Sequence, residues 1–269
     1  MLAVLKAGAA YVRLQPNLPG ERLARIIAAS GLAIILAENR TAENLPAASA
    51  RVVLLEQELA GEGDDSSPPS AAVHPDPEST ACIYYKTSPD GESQGVEISH
   101  RALWNCLASL RSAPGLSAGD VVLWHGSTPL GLELFELWLP LSVGARTVIA
   151  PEATVLDGPG FYNFMEAHGI TVMRATPSAW RLLVQSGWRG GQGLKAISSG
   201  EALLPGLAGT LAACCKEVWN VYGTAESASI ATVGRVAAGA RRWPPSGVRR
   251  SRPRWRLRVV AALQLRPWR

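Results

Sequence analysis

The sequence lacks the features by which several classes of protein show themselves. No apolar run approaches the roughly 20 residues needed to cross a bilayer as a helix. The opening stretch, MLAVLKAGAAYVRLQP, is apolar but has no basic region ahead of it. That argues against a signal peptide and for a cytoplasmic protein. The four cysteines, Cys82, Cys106, Cys214 and Cys215, form no CxxC pair, and the four histidines stand singly. A structural zinc site is therefore not expected, and buried free thiols are the plainer reading. No internal repeat is visible. What remains is a chain of 269 residues with 47% apolar content, enough to bury one sizeable core or two smaller ones.

Charge is unevenly spread. The formal net charge is +4, from 26 basic and 22 acidic residues. Ten arginines and no acidic residue lie between Ala237 and Arg269, which leaves Met1 to Val236 with 16 basic residues against 22 acidic, a net of −6. A mildly acidic body and a basic tail need separate explanations.

Along the body, helix-like and strand-like stretches alternate. Pro19 opens a helix with Leu23, Ile26 and Ile27 on one face and Gly31 after its end. Leu32 to Ala37 is an apolar run that suits a buried parallel strand. Gly61 to Pro77, rich in Gly, Pro, Ser and Asp, reads as a linker. Strands are expected at Ala81–Tyr85, Val96–Ile98, Val121–Trp124, Arg146–Ala150, Thr171–Met173, Lys195–Ser198 and Val218–Val221. Helices fill the gaps, one of them begun by Ser99 and another by Thr176 and Pro177. Such alternation predicts an α/β fold with mainly parallel sheets flanked by helices.

Three segments stand where chemistry is expected. The loop KTSPDGESQG follows an apolar strand, and a turn rich in glycine and hydroxyls there can aim backbone N–H groups at a phosphate. Asn220-Val221-Tyr222-Gly223-Thr224-Ala225-Glu226 ends a strand with an amide, a phenol and a carboxylate, and Ser198-Ser199-Gly200-Glu201 ends another. In parallel α/β sheets ligands bind beyond the carboxyl ends of strands. Taken singly, each segment reads equally well as a plain turn.

In order along the chain they are specific. LAVLKAGAAYVRLQPNLPGERL, GVEISH, ELFELWLPLSVGARTVIAPE, ITVMRATPSAWRLL, SSGEALL and VWNVYGTAE together resemble the adenylation domains of nonribosomal peptide synthetases, over Met1 to about Val236. The resemblance implies the large N-terminal domain of the AMP-forming ligase fold, present in part. It implies ATP and Mg²⁺ as cofactors, and an amino acid or related carboxylic acid as substrate. The implied products are an acyl-adenylate and pyrophosphate, with a phosphopantetheine-bearing carrier protein as acyl acceptor. By the same resemblance, Thr87, Ser88 and Gly95 belong to the phosphate loop. Ser199, Gly200, Glu201, Asn220, Tyr222 and Gly223 line the nucleotide site, and Glu226 binds the metal. Gly131, Leu132, Phe135, Arg174, Ile197, Val221, Ser229 and Ile230 line the substrate pocket, with Ser199 also at its edge.

The departures matter as much. Gln94 stands at the position of the family's loop lysine, and Asp90 and Glu92 bring negative charge into the loop. Ala225 replaces the hydroxyl that contacts the α-phosphate, and Gly131 the aspartate that holds the substrate ammonium. Arg174 is unusual in such a pocket, because a buried arginine needs a partner. Two roles stand open: holding a substrate carboxylate, or pairing with a pocket acid such as Glu133. Beyond Val236 the motifs stop, and no ribose-binding aspartate, hinge or small C-terminal domain is recognised. The tail, 237–269, is rich in Arg, Pro and Trp and is expected to be irregular. Its composition fits a frame-shifted translation of GC-rich DNA; the alternatives are a basic arm for nucleic acid or a membrane-surface segment. For the whole chain the expectation is an amino-acid-activating domain of impaired activity, with an inactive pseudoenzyme or broken gene product as the alternative. A basic-tailed nucleic-acid binder ranks behind both.

Overall fold

The computed structural model describes residues 1–46, 49–60, 74–87, 93–125, 133–236 and 257–259. The chain divides into two compact units, Met1–Arg101 and Ala102–Leu265, where the sequence reading treats 1–236 as one partial domain.

The first unit holds helices α1 (Leu2–Lys6), α2 (Gly20–Ser30), α3 (Asn39–Ala42) and α4 (Leu55–Ala60) and strands β1 (Tyr11–Val12), β2 (Ile34–Ala37), β3 (Arg51–Leu54), β4 (Thr80–Thr87) and β5 (Ser93–Ser99). α2 forms as its pattern predicts. Pro19 precedes it, Leu23, Ile26 and Ile27 are buried, and Gly31 ends it in the left-handed region at φ 58°. Leu23 and Ile27 pack with Ile35 of β2 and with Ala50. β2 pairs in parallel with β3, but it is not buried on both faces as expected: Ile35 and Ala37 are buried, while Ile34 and Leu36 are exposed. A two-stranded sheet covered by one helix leaves alternate side chains open. β3, α3 and α4 are additions that the sequence pattern does not announce.

β1 pairs in parallel with β4, and β4 and β5 form an antiparallel hairpin longer than the two short strands expected. The ladder continues from Cys82↔Ile98 through Lys86↔Gln94 to Thr87↔Ser93, so Gln94 and Gly95 lie in a strand rather than a loop. Gly95 is there for space. A β-carbon on it would meet the Tyr85 ring at 3.2 Å and Ile83 at 3.3 Å.

The second unit is built on a seven-stranded sheet. Its strands are β6 (Val121–Trp124), β7 (Arg146–Ile149), β8 (Val172–Ala175), β9 (Gly191–Ser199), β10 (Cys215–Tyr222), β11 (Thr232–Arg235) and β12 (Leu257–Val259). The order across the sheet is β12-β11-β10-β9-β8-β6-β7. The five strands from β10 to β7 run parallel, and β11 and β12 add an antiparallel margin. Mainly parallel pairing therefore holds for this unit, and the whole is a mixed α/β fold. Three residues of the basic tail, Leu257–Val259, are a regular strand in that margin, where irregular chain was expected.

Helices α5 (His100–Leu110), α6 (Leu139–Val143), α7 (Glu152–Leu156), α8 (Gly158–Ala167), α9 (Pro177–Gln185) and α10 (Pro205–Cys214) connect the strands. The first amides of α5 donate to the Ser79 and Pro77 carbonyls. At α9 the expected cap is present, with the Ala179 amide donating to Thr176 Oγ1 at 3.2 Å. Phe161, Met165, Trp180, Leu183, Ala208 and Leu211 from α8, α9 and α10 bury one face of the sheet, against Leu123, Met173, Ala175, Ala196 and Val218. Trp180 also donates its indole N–H to the Ile197 carbonyl at 3.1 Å, so its polar atom is satisfied inside the core.

Candidate functional site

The parallel strands bring their carboxyl ends to one edge of the seven-stranded sheet. Register then decides which residues meet. Arg174 lies opposite Ile197, and Ala175 opposite Ser198. Ile197, Ser198 and Ser199 lie opposite Trp219, Asn220 and Val221. Side chains alternate with period two along a strand. Arg174, Ile197, Ser199 and Val221 therefore share one face, the face opposite α8, α9 and α10. Ser198 and Asn220 point to the other. Four of the expected pocket residues are thus assembled by sheet pairing alone. All four are buried, as are Phe135 and Ile230.

The turn after β10 is shaped by Gly223. The chain folds back so closely that a β-carbon there would lie 2.2 Å from the Ser229 carbonyl oxygen and 2.5 Å from the Ile230 nitrogen. A short 3₁₀ turn, Ala225–Ser227, follows, with the Thr224 amide donating to Ser227 Oγ at 3.0 Å. Ala228 and Ser229 then take positive φ, 50° and 70°, an uncommon conformation for residues other than glycine. The Ala231 amide returns to the Tyr222 carbonyl at 2.8 Å. Within this closed loop Asn220 and Val221 are buried, and Tyr222 is 48% exposed. Glu226 lies on the 3₁₀ turn beyond it.

Glu201 is committed elsewhere. Its carboxylate accepts from Ser178 Oγ at 2.6 Å and from the Ser178 amide at 3.2 Å. It thus binds the first turn of α9, a structural duty beside the nucleotide role implied by resemblance. Gly200, at φ 87°, makes the bend that takes the chain from β9 to that position.

The unexpected feature is a buried charge cluster. Glu133, at 0% exposure, and Glu136, at 1%, come from the helical turn leading into α6; Arg174, at 7%, comes from β8, and His125, at 7%, follows β6. Arg174 Nη1 is 4.0 Å from Glu136 Oε1. His125 Nε2 lies 4.0 Å from the same oxygen, and its N–H donates to the Arg174 carbonyl at 2.8 Å. Burial lowers the Arg174 pKa to about 10, while the charges of Glu136 and Glu133 hold it up. Burial also lowers the His125 pKa below its ordinary 6.5; its hydrogen bond to Arg174 opposes this, and the guanidinium charge adds to it. His125 is therefore neutral at pH 7. Sequence reasoning named Glu133 as a partner for Arg174 but missed Glu136 and His125. The signal available was the i, i+3 spacing of Glu133 and Glu136, which puts both on one side of a helical turn.

Of the phosphate loop, Thr87 closes β4 and Gly95 lies in β5. Ser88, Gly131 and Leu132 lie outside the described residues. Among the described residues no group of three His, Cys, Asp or Glu side chains could hold a metal ion. A Mg²⁺ carried in with ATP needs only one or two carboxylates, because phosphate and water complete its shell. Glu226, on the 3₁₀ turn, is the one carboxylate that the resemblance assigns to it.

The two units, with a parallel sheet opened at its strand ends, have the α/β fold of the N-terminal subdomain of adenylation domains. One such solved subdomain, from Klebsiella oxytoca NpsA in complex with 3-hydroxybenzoyl-AMSN, superposes with a TM-score of 0.77 at 21% identity, over 92% of this chain and 62% of that one. The chain belongs to the AMP-binding enzyme family, whose sequence pattern matches residues 1–268. That match runs past Val236, where the recognisable motifs end, and takes in the tail.

A solved four-domain nonribosomal peptide synthetase, bound to AMP and glycine, superposes with a TM-score of 0.77 at 28% identity, over 88% of this chain and 17% of that chain. The PKS-NRPS hybrid synthetase acdB of Aspergillus candidus is 32% identical over 245 residues, 89% of this chain and 10% of that protein. The chain thus spans about a tenth of the length of this curated relative. No described helix is long and apolar enough to cross a membrane.

Proposed function

We propose that the strand-end site binds an adenine nucleotide and a small carboxylic acid, as in an ATP-dependent, amino-acid-activating domain, and that its catalysis is impaired. The observation that carries this is the register placing Arg174, Ile197, Ser199 and Val221 on one face, with the half-exposed Tyr222 next in sequence at the strand end. On this reading Tyr222 stacks on the base and Glu226 meets Mg²⁺. The reacting carboxylate attacks the α-phosphorus and pyrophosphate leaves. The acyl group then passes to the thiol of a carrier protein. The reading also puts the chain in the cytoplasm.

Impairment follows from three substitutions. Gln94 lacks the charge of a loop lysine, Ala225 lacks a hydroxyl for the α-phosphate, and Gly131 lacks a carboxylate for a substrate ammonium. Losing one preorganised contact of this kind costs roughly 10²–10³ in rate. Amino-acid-dependent ATP–pyrophosphate exchange should therefore stay at background for each common amino acid. Exchange above background with any of them overturns the impairment.

Of the two roles open to Arg174, we favour pairing within the protein. Two carboxylates already hold its charge, so a substrate carboxylate would be a third anion around one cation. The substrate side chain on this reading is neutral. Calorimetric titration of the chain with AMP, then with aminoacyl sulfamoyl adenosines bearing neutral and acidic side chains, tests both points. No binding of AMP sinks the nucleotide site. Preference for acidic side chains returns Arg174 to the receptor role.

A further inference from the structure

Cys214 and Cys215 are adjacent in sequence at the junction of α10 and β10, and neither is fully buried. Their sulfurs lie 4.0 Å apart, in contact. Adjacent side chains in a continuing strand would point to opposite faces. Here Cys214 is the last helical residue and Cys215, at φ −114° and ψ 155°, the first extended one, and this change of direction turns both thiols together. Both cysteines pack at the margin of the hydrophobic core, and two glycines adjoin them. Gly190, at φ 101°, approaches so closely that a β-carbon on it would lie 2.3 Å from the Cys214 β-carbon and 2.9 Å from its sulfur. The ladder partner of Cys215 is Gly191, also without a side chain. Nothing in the nucleotide or acid site uses this pair, which lies at the opposite end of β10 from Tyr222.

From this geometry we propose that Cys214 and Cys215 form a two-thiol site for trivalent arsenicals, which bridge both sulfurs.

The ligand class follows from what the site offers and lacks. A tetrahedral zinc site needs four donors, and among the described residues no third His, Cys, Asp or Glu joins the pair. Thiol–disulfide exchange and alkylation run through the thiolate. Burial, and then the neighbouring Cys214, raise the Cys215 pKa to about 12, so it stays a thiol at neutral pH. A trivalent arsenic hydroxide takes thiols and needs only two. For phenylarsine oxide in its hydrated form, C₆H₅As(OH)₂, two S–H bonds and two As–O bonds break and two As–S bonds form. The two thiol protons leave with the two hydroxides as two waters, and no oxidant or reductant enters. Closing the second As–S bond is intramolecular, so the bridge should hold far better than a single bond to sulfur. Cys82 and Cys106 are buried at 0% and 1% exposure and in different elements, so neither competes.

The test uses the whole chain and phenylarsine oxide. Titration with a chromogenic disulfide after unfolding in denaturant, where burial no longer suppresses either thiolate, should find two fewer free thiols once one equivalent has been added. Intact mass should show one phenylarsenic gained and two hydrogens lost. Cys214→Ser and Cys215→Ser, close in size to the native residue, should each weaken binding by roughly 10²–10⁴-fold, the range for loss of an intramolecular second contact. The Cys82→Ser/Cys106→Ser double variant should bind as the parent does. Absence of an adduct, an adduct resting on one thiol, one mapped to Cys82 or Cys106, or equal affinity in either single variant would overturn the proposal.

Discussion

Two regions at the carboxyl edge of the same sheet are built on opposite principles. The turn from Tyr222 to Ile230 is shaped by backbone: a glycine that nothing larger can replace, two residues at positive φ, and amides and hydroxyls bonded within the loop. Its aromatic ring is left half in water. The cluster of Glu133, Glu136 and Arg174 is shaped by charge, buried and held by the attraction of the guanidinium for the carboxylates, with neutral His125 hydrogen-bonded beside it. The turn leaves its aromatic ring open to solvent, whereas the cluster spends its charges on itself. A charge removed from the cluster leaves another uncompensated in a medium where that is costly, while a ring removed from the turn leaves only solvent.

The largest effect should come from the cluster. Arg174→Met leaves Glu133 and Glu136 without their cation and should cost about 3–5 kcal/mol in denaturant unfolding. Adding Glu133→Gln and Glu136→Gln to the same chain should recover most of that loss. If Arg174→Met alone is nearly neutral, the cluster is not one electrostatic unit.

Next is the backbone of the turn. Gly223→Ala drives a methyl group against the Ser229 carbonyl and the Ile230 nitrogen, neither of which is a flexible tip. A loss of about 1–3 kcal/mol is expected, measured by the same unfolding curves. An unchanged midpoint would mean that the turn relaxes freely.

A smaller effect separates the regions by pH. His125 has a folded pKa below its unfolded value of about 6.5. Below that value the unfolded chain binds a proton that the folded chain does not, so stability falls as pH drops from 6.5 towards the folded pKa. The slope for one such group is at most about 1.4 kcal/mol per pH unit. His125→Gln should flatten the stability profile between pH 6.5 and 5, and variants in the turn should leave it unchanged. An equal slope in His125→Gln would assign the pH dependence to other groups.

The smallest change in stability belongs to Tyr222→Ala, expected within about 0.5 kcal/mol because the ring is half exposed. Its signature is binding. Loss of a stacking ring costs roughly 1–3 kcal/mol per base, which weakens AMP about 10- to 100-fold. Equal AMP affinity in parent and variant would remove Tyr222 from the nucleotide site.

Much of this molecule is legible in one dimension. The apolar spacing of Leu23, Ile26 and Ile27 and the glycine at position 31 determine α2, because helical period and a left-handed cap are local requirements. Thr176 and Pro177 announce α9 for the same reason. The strand–helix alternation of the second half gives a mainly parallel sheet, and the motif order gives the family. Tertiary structure decided the rest. It set the register that turns Arg174, Ile197, Ser199 and Val221 to one face, since strands far apart in sequence choose their alignment only when paired. It left Ile34 and Leu36 exposed, because burial depends on what packs over a strand and not on its own composition. It drew three residues of an arginine-rich tail beside β11. It also supplied the observation on which one of the two roles left open for Arg174 is favoured. The sequence states that an arginine lies in an apolar stretch. Only the fold brings Glu136, 38 positions earlier in the chain, to 4.0 Å from it, and Coulomb attraction acts through space and not along the chain.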